Sequence, residues 1–268
     1  MTKATSVDGA AVLRWIELEL PEPPWREREP FLGFVYVDPQ AGLSAKGGRA
    51  GDPQQAEQPS LTVRLPIGVP GRVLGDDEAG GRGLPATPSW LPHFGPQPPA
   101  HGPWRTDPGL QGRFHAQFPD DLQVLVHDGE PRRTGKRTEL CWVRVVAEEA
   151  RLAAPAGAGE AATRIYVGEL LNKPHGLSTV TAGERIRFVP APGGRHPLYV
   201  TAAYLAERGE WDIAPCSSCG LAETLDPPTV MAQTRFPDAG ETAPVMFTAH
   251  CALCGPPAHQ LVQRRRQP

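Results

Sequence analysis

The motifs Cys216-Ser217-Ser218-Cys219-Gly220 and Cys251-Ala252-Leu253-Cys254-Gly255 decide the organisation of the C-terminal part of this chain. In each motif two residues separate the thiols, so both sulfurs can reach one ion, and the glycine that follows tolerates a tight turn. Four thiolates on two such turns, hereafter called knuckles, are typical of a tetrahedral zinc site with no open coordination position. The sequence therefore predicts one structural Zn²⁺ per chain, held by Cys216, Cys219, Cys251 and Cys254.

The segment between the knuckles has the pattern of a β-hairpin. Residues 229–236 (TVMAQTRF) and 245–250 (VMFTAH) alternate as strands do, and residues 237–240 (PDAG) supply turn residues between them. A knuckle, a hairpin and a second knuckle follow one another in this order in a zinc ribbon. Because an isolated hairpin is only marginally stable in water, we expect the metal ion to supply the missing stability.

Two disulfide bonds and a thioredoxin-like redox pair are alternative uses of these cysteines. Nothing marks the chain as secreted, which disfavours disulfides, and no βαβ pattern surrounds either pair. His250 adjoins the second knuckle and is an alternative ligand. Since four thiols already complete a zinc site, we interpret His250 as a solvated residue at the end of a strand. The fifth cysteine, Cys141, lies within an apolar strand pattern.

The composition limits the classes of protein to which the chain can belong. A chain of 268 residues can hold one or two domains, and 32 prolines with 29 glycines indicate extensive irregular structure. The net charge of −3 argues against a nucleic-acid or membrane surface that covers the whole chain. No run approaches the ~18 apolar residues of a membrane span, and the N-terminus lacks the apolar core of a signal peptide. We therefore expect a cytoplasmic protein.

The pattern along the chain predicts a mainly β protein, an α+β fold with little helix. It would contain a small antiparallel sheet domain, a C-terminal zinc-ribbon hairpin and long Pro/Gly-rich loops. The predicted segments are a β-rich N-terminal region (1–74), a Pro/Gly-rich arm (75–113), a β domain (114–213) and a zinc-ribbon-like module with a basic tail (214–268). Residues 38–60 are polar and are predicted to form a loop or a disordered tip. The arm carries Trp90, Phe94 and Trp104, so we expect an extended, partly polyproline segment that these rings pin to a sheet.

The β domain has the clearest strand patterns. Residues 122–127, 140–146, 165–171 and 185–189 are predicted strands, and an Ala/Gly-rich insertion (147–163) separates the second from the third. Thr201 is the predicted N-cap of a short helix, residues 202–208, that Gly209 ends.

Three motifs follow one another in residues 114–213, namely Glu139-Leu140-Cys141-Trp142-Val143, then Gly168-x-Leu170-x-Asn172-x-Pro174, then Gly183-Glu184 before Ile186-Arg187-Phe188. In the order and chemistry of these motifs the segment resembles the YegJ-like bacterial domain of uncharacterised function. The chain departs from that family in its Ala/Gly insertion, in having Glu210-Trp211-Asp212 where the family has Asp-Trp, and in the appended ribbon. The resemblance implies a small, mainly antiparallel β domain with little helix, and it implies no activity.

Residues suited to catalysis are few. The sequence contains no nucleophile elbow, no Gly-rich phosphate loop between a strand and a helix, and no His-Glu-x-x-His motif. The nearest group is His115, Asp120, Asp121 and His127. Six residues of extended strand would place His127 roughly 20 Å from Asp121, which is too far for one metal ion. We therefore predict that the chain is not an enzyme.

The sequence favours a zinc-containing binding or scaffolding protein whose partner is another protein. The alternative is a nucleic-acid-binding accessory protein that uses the basic turn (residues 132–137, RRTGKR) and the tail Arg264-Arg265-Arg266. In residues 211–268 five acidic residues stand against four basic ones, and four thiolates on Zn²⁺ add negative charge, which disfavours this alternative. His175 lies at the tip of a turn and is interpreted as a solvated histidine.

Overall fold

The computed structural model describes residues 11–21, 29–65, 69–152, 163–191, 196–242 and 244–265. The chain divides into two compact units, Met1–Arg105 with Phe114–Asp120 and Thr106–Arg113 with Asp121–Pro268. Sheets with mainly antiparallel pairing dominate both units and the helices are short, which confirms the predicted mainly β class. No helix in the described residues is both long and apolar enough to cross a membrane. The division into four sequence segments stays a prediction.

The first unit is built around a five-stranded sheet in which strand β2 is buried on both faces. The strand order is β4-β3-β2-β1-β5. The strands are β1 (Trp15–Leu18), β2 (Phe31–Asp38), β3 (Gly42–Arg49), β4 (Leu61–Arg64) and β5 (Gly71–Val73). Because side chains alternate along a strand, Phe31 and Val35 enter one cluster of buried residues, whereas Phe34 and Tyr36 enter a second cluster with Trp90.

The prediction of a loop over residues 38–60 is wrong. Gly42–Arg49 of this segment forms β3, which pairs with β2 along its whole length and with β4 on its other side, and Pro53–Ala56 adds a 3-10 turn. Its side chains are small because space is short. A Cβ atom on Gly47 would lie far inside the van der Waals contact distance of the Leu32 carbonyl oxygen. The low hydrophobicity of β3 therefore reflects close packing and not exposure.

The Pro/Gly-rich arm contains short helices where an extended chain was expected. These are α1 (Asp76–Gly81) and two 3-10 turns, Leu91–Phe94 and Pro103–Thr106. The expected packing of the rings on the sheet is confirmed for Trp90 and Phe94, whose centroids lie 5.3 Å and 4.4 Å from that of Tyr36. The indole N–H of Trp90 donates to the carbonyl of Ala56 at 2.9 Å, so the ring is fixed by a hydrogen bond as well as by packing.

Strands β7 to β11 close into a five-stranded ring in the second unit. The order β11-β10-β9-β8-β7 is antiparallel, and a parallel pairing between Leu198 of β11 and Leu125 of β7 completes the circle. The strands are β7 (Phe118–Val126, which starts in the first unit and has the short β6, Phe114–His115, beside it), β8 (Glu139–Leu152), β9 (Thr163–Leu170), β10 (Arg185–Val189) and β11 (Leu198–Val200). All four predicted strands of this region are therefore confirmed.

Two details of this region correct or confirm the sequence analysis. Strand β8 runs to Leu152, through the first part of the predicted Ala/Gly insertion, of which residues 153–162 lie outside the described residues. Two short helices flank strands β8 to β11 in the sequence. Helix α2 (Pro131–Thr134) lies between β7 and β8, and helix α3 (Ala202–Arg208) follows β11. The predicted cap of α3 is confirmed, because the Thr201 hydroxyl accepts the N–H of Tyr204 at 3.1 Å.

Residues that carry the resemblance to the YegJ-like domain hold one loop in place. The side-chain oxygen of Asn172 accepts the N–H of Trp142 at 2.6 Å. The Glu139 carboxylate accepts the N–H groups of His175 and Gly176, each at 2.7 Å, and these donors lower its pKa. Side chains at the start of β8 and after β9 thus fix the turn that follows β9, which is a structural role.

The C-terminal module has a different hairpin from the one predicted. Residues 229–236, expected to be a strand, form the helix α4 (Pro228–Arg235), and Pro237–Thr242 is a 3-10 turn. Strand β13 (Met246–His250) was predicted, but its partner is β14 (His259–Arg264), which follows the second knuckle. With β12 (Trp211–Ile213) these strands form a sheet of order β12-β14-β13. Pro228 stands in the first turn of α4, where its missing N–H costs no hydrogen bond, so the segment begins as a helix.

One cluster of buried side chains joins this module to the rest of the second unit. It includes Leu221 and Phe247 from the module and Trp211 of β12, together with Val189 of β10 and Tyr204 of α3. The module therefore has no separate core within the described residues.

Candidate metal centre

The three-stranded sheet brings the two knuckles to the same end. The first knuckle follows β12, and the ladder continues past that strand because Ala214 N–H donates to Leu261 O at 2.8 Å. The second knuckle is the turn between β13 and β14, closed by a bond from Cys251 N–H to Ala258 O at 2.8 Å. Because β14 pairs with both other strands, its N-terminal end lies beside both knuckles.

Each knuckle is shaped by its glycine. Gly220 and Gly255 have φ angles of 71° and 65°, a conformation that side chains with a Cβ atom rarely adopt. Their N–H groups donate to the carbonyls of Cys216 and Cys251 at 2.8 Å and 2.9 Å. The predicted tight turn after each Cys-x-x-Cys pair is confirmed.

The four sulfur atoms are close enough together to hold one metal ion. All four lie within 4.8 Å of one another, and Cys219 Sγ is 3.6 Å from Cys251 Sγ. A tetrahedral ion with Zn–S bonds of ~2.3 Å would separate its sulfurs by ~3.8 Å, so the thiols fit such an ion. Cys216 and Cys251 are buried, whereas Cys219 and Cys254 are partly exposed. That these four cysteines bind a metal ion stays a prediction. Their sulfur atoms are arranged as that prediction requires.

Backbone donors favour the thiolate form of Cys216 in the first knuckle. Burial alone would raise the pKa of the Cys216 thiol, but the N–H groups of Ser218 and Cys219 and the neighbouring thiols lower that pKa to about 7. Ser218 N lies 3.4 Å from Cys216 Sγ. Since the thiolate is the form that binds metal, these donors prepare Cys216 for an ion, whereas burial raises the pKa of the Cys219 and Cys251 thiols.

A buried ion pair lies beside the first knuckle. The Arg208 guanidinium donates from Nε to the Glu223 carboxylate at 2.7 Å, and the Tyr204 hydroxyl donates to the same carboxylate. All three residues are buried. Gln260 of β14 donates to Leu221 O at 2.6 Å and so links the central strand to the segment after the knuckle. The residue pattern alone did not predict this network, although Tyr204 and Arg208 lie four residues apart on one face of α3.

The alternative ligand His250 lies outside the thiol cluster. It is exposed on the outer face of the sheet, opposite His259 in the register, and the two ring centroids are 6.2 Å apart. His175 is likewise exposed, and its backbone N–H donates to Glu139.

The residues considered for catalysis have partners of other kinds. Asp120 binds Arg105 at 2.7 Å, and Asp121 binds Arg144 at 2.8 Å. His127 is fully buried, with Nε2 2.9 Å from Tyr199 O and Nδ1 accepting Gly129 N–H at 3.0 Å.

Several of the basic residues considered for nucleic-acid binding pair with carboxylates. Arg132 is 3.5 Å from Asp226, and Arg133 pairs with Glu130. In the tail, Arg264 binds Glu210 at 2.6 Å and Arg265 binds Asp212 at 2.8 Å, while Arg266 lies outside the described residues.

Comparisons of the chain with models of protein families, with curated proteins and with solved structures found no match. The assignment of residues 114–213 to the YegJ-like family therefore stays a prediction.

Proposed function

We propose that this protein is a non-enzymatic, zinc-stabilised binding or scaffolding protein whose partner is another protein. The observation that carries the proposal is the group of four thiols within 4.8 Å of one another at one end of a sheet. A four-thiolate zinc ion has no position open for substrate or water, so its contribution is to the fold. We further propose that residues 114–213 are a YegJ-like domain and that the protein works in the cytoplasm, where thiols stay reduced.

The pairing of basic side chains supports a protein partner over nucleic acid. Arg132 and Arg133 of the basic turn, and Arg264 and Arg265 of the tail, each lie beside a carboxylate. Binding of a phosphate backbone by these residues would have to compete with those pairs and with the repulsion of the carboxylates.

The metal part of the proposal is tested by elemental analysis of protein purified under reducing conditions. We expect about one zinc per chain, and we expect Cys216→Ser and Cys254→Ser to lose it. Cys141→Ser is the matched control, because Cys141 is not part of the thiol group and should leave the zinc content unchanged. Protein without zinc, or equal loss from the control, would refute the metal assignment.

The partner is tested by affinity purification from the native host, with and without nuclease treatment. A protein that stays bound after nuclease treatment and at raised salt supports the proposal. Material that is retained only through nucleic acid, and that is lost when Lys136 and Arg137 are changed to alanine, would replace it with the nucleic-acid alternative.

A further inference from the structure

A groove lies between helix α4 and the edge strand β13. It encloses about 290 Å³ and is lined by Arg132, Met231, Thr234, Arg235, Phe247 and Ala249. Its floor is apolar, since Met231, Phe247 and Ala249 are each at most 6% exposed, and the two arginines stand at its rim. The volume suits one or two side chains and is at the lower limit for a small-molecule pocket.

Strand β13 presents unpaired backbone groups along this groove. It is an edge strand that pairs only with β14 among the described residues. Val245 O accepts Arg264 N–H at 2.7 Å, and Cys251 N–H donates to Ala258 O at 2.8 Å. Since backbone groups alternate in direction along an antiparallel strand, those of Met246, Thr248 and His250 point away from β14.

One end of this edge is already closed by the chain itself. Arg132 donates to the outward carbonyl of His250 at 2.7 Å. The outward N–H and C=O groups of Met246 and Thr248 have no partner within the part of the chain that the structure describes. An edge of this kind is a template for one more strand.

The groove carries an excess of positive charge. The charge of Arg132 is balanced in part by Asp226, which is 3.5 Å away and buried. Arg235 lies over the ring of Phe236, 5.9 Å from its centroid, and no carboxylate among the described side chains forms an ion pair with it. An acidic group in the groove would therefore give Arg235 the counter-charge that the described part of the chain does not supply.

We propose that this groove binds an extended segment of a partner protein, which pairs with β13 and places an Asp or Glu side chain between Arg132 and Arg235. The inference rests on the proposed function and names its binding surface. Alternate side chains of an extended segment point to the same side, ~7 Å apart, so one acidic residue enters the groove while its immediate neighbours point away. The apolar floor then contacts the methylene groups of that residue and a β-branched neighbour two positions along.

The experiment uses the zinc-loaded full chain as bait for a displayed library of random eight-residue peptides, fused at both ends so that no free carboxylate competes. We expect the selected sequences to share an Asp or Glu at one position, with β-branched residues two positions away. A synthetic peptide of the selected sequence is then measured by fluorescence anisotropy. Its Glu→Gln or Asp→Asn analogue should bind at least tenfold more weakly.

Three variants locate the site. Arg235→Glu should weaken the selected peptide at least tenfold through charge reversal. Thr248→Pro should do the same, since it removes an outward N–H while sparing the bonds to β14. Arg185→Glu is the matched control, because Arg185 is an exposed strand residue outside the groove and should bind as wild type does. The melting temperature and zinc content of all three should equal those of wild type, which shows that the fold is intact.

The inference is overturned if no acidic position is selected, or if Arg235→Glu and Thr248→Pro bind the peptide as tightly as wild type. It is also overturned if Thr248→Pro abolishes a concentration-dependent dimer of the free protein, since a second copy would then occupy the edge. In each case, zinc content and a nuclease-resistant partner that remain unchanged would leave the proposed function standing. Failure of those two measurements would remove the proposed function itself.

Discussion

Removal of the metal is expected to destabilise strands β10 and β11 of the second unit, which contain none of the four ligand cysteines. Structural zinc contributes an apparent ~10–16 kcal/mol in small metallo-domains, which matches or exceeds the ~5–15 kcal/mol that stabilises a typical domain. The C-terminal module should therefore lose its fold when the ion is removed. Its buried side chains also cover part of the five-stranded ring.

The size of this second effect follows from the shared cluster of buried residues. Its large members outside the module are Ile165, Val189, Leu198, Val200 and Tyr204. Burial of one such side chain contributes about 1.5–3 kcal/mol. If half of their burial depends on the module, its loss costs the ring about 4–8 kcal/mol, which is comparable to the whole stability of a domain.

Hydrogen exchange with and without a strong chelator measures this coupling. We expect peptides from 211–265 to lose protection and peptides from 185–205, which contain β10, β11 and α3, to lose it with them. Strands β2 and β3 of the first unit are the internal control, because their buried residues form clusters of their own. They should keep their protection.

The reasoning is refuted if 185–205 keeps full protection while 211–265 exchanges freely. The module would then be an independent unit that folds around its metal, as the predicted boundary near residue 213 implies. Cys141→Ser, treated in the same way, shows whether the chelator acts through the knuckle thiols alone.

Two further predictions concern buried ionisable groups of the second unit. Glu223→Gln leaves the buried Arg208 guanidinium without its counter-charge and should cost about 3–5 kcal/mol by urea unfolding, whereas Glu210→Gln, in an exposed pair with Arg264, should cost under about 1 kcal/mol; equal effects would contradict this. Burial lowers the pKa of His127 below its usual 6.5, so the unfolded chain binds a proton there more readily than the folded chain does. The contribution of His127 to the free energy of unfolding should be complete above about pH 6.5 and should fall at lower pH, by at most ~1.4 kcal/mol per pH unit. This loss should be smaller in His127→Gln. An unchanged pH profile in that variant would exclude His127 as its cause.

The thiol group could be predicted from the sequence because its geometry is local. Two residues between cysteines and a following glycine determine a knuckle without reference to the rest of the chain, and both glycines adopt the expected positive φ. The distance between the knuckles was not local information. It depends on β14, which pairs with both β12 and β13 and which the sequence analysis did not identify.

Strand β14 was not predicted because its apolar and polar residues do not match its buried and exposed positions. Gln260 points inward and is buried, whereas Leu261 points outward and is 41% exposed, so polarity and burial disagree at two adjacent positions. The amide of Gln260 is needed inside because it donates to Leu221 O. Apolar alternation predicts strands only where the buried face is apolar.

Residues 229–236 alternate as strand residues do, but they form helix α4. An eight-residue run is too short for its period to distinguish helix from strand. The deciding contact is distant in sequence: Glu207 of α3 accepts Thr229 N–H at 3.0 Å and so binds one of the free N–H groups in the first turn of α4. No residue next to α4 in the sequence supplies that cap, since Pro227 has no side-chain hydrogen bond to offer.

The Pro/Gly-rich arm shows why composition alone did not determine order. Proline and glycine lower the apolar content of residues 75–105, but ordering a chain depends on where its few large side chains contact the core. Trp90 lies against both Phe34 and Tyr36, its indole N–H reaches Ala56, and Lys46 stands 5.2 Å from its ring centroid. Trp104 donates to the buried Asp120 at 2.6 Å. Two tryptophans with satisfied N–H groups therefore anchor a segment whose average hydrophobicity indicates a loop, and the short helices of this segment need little stability of their own.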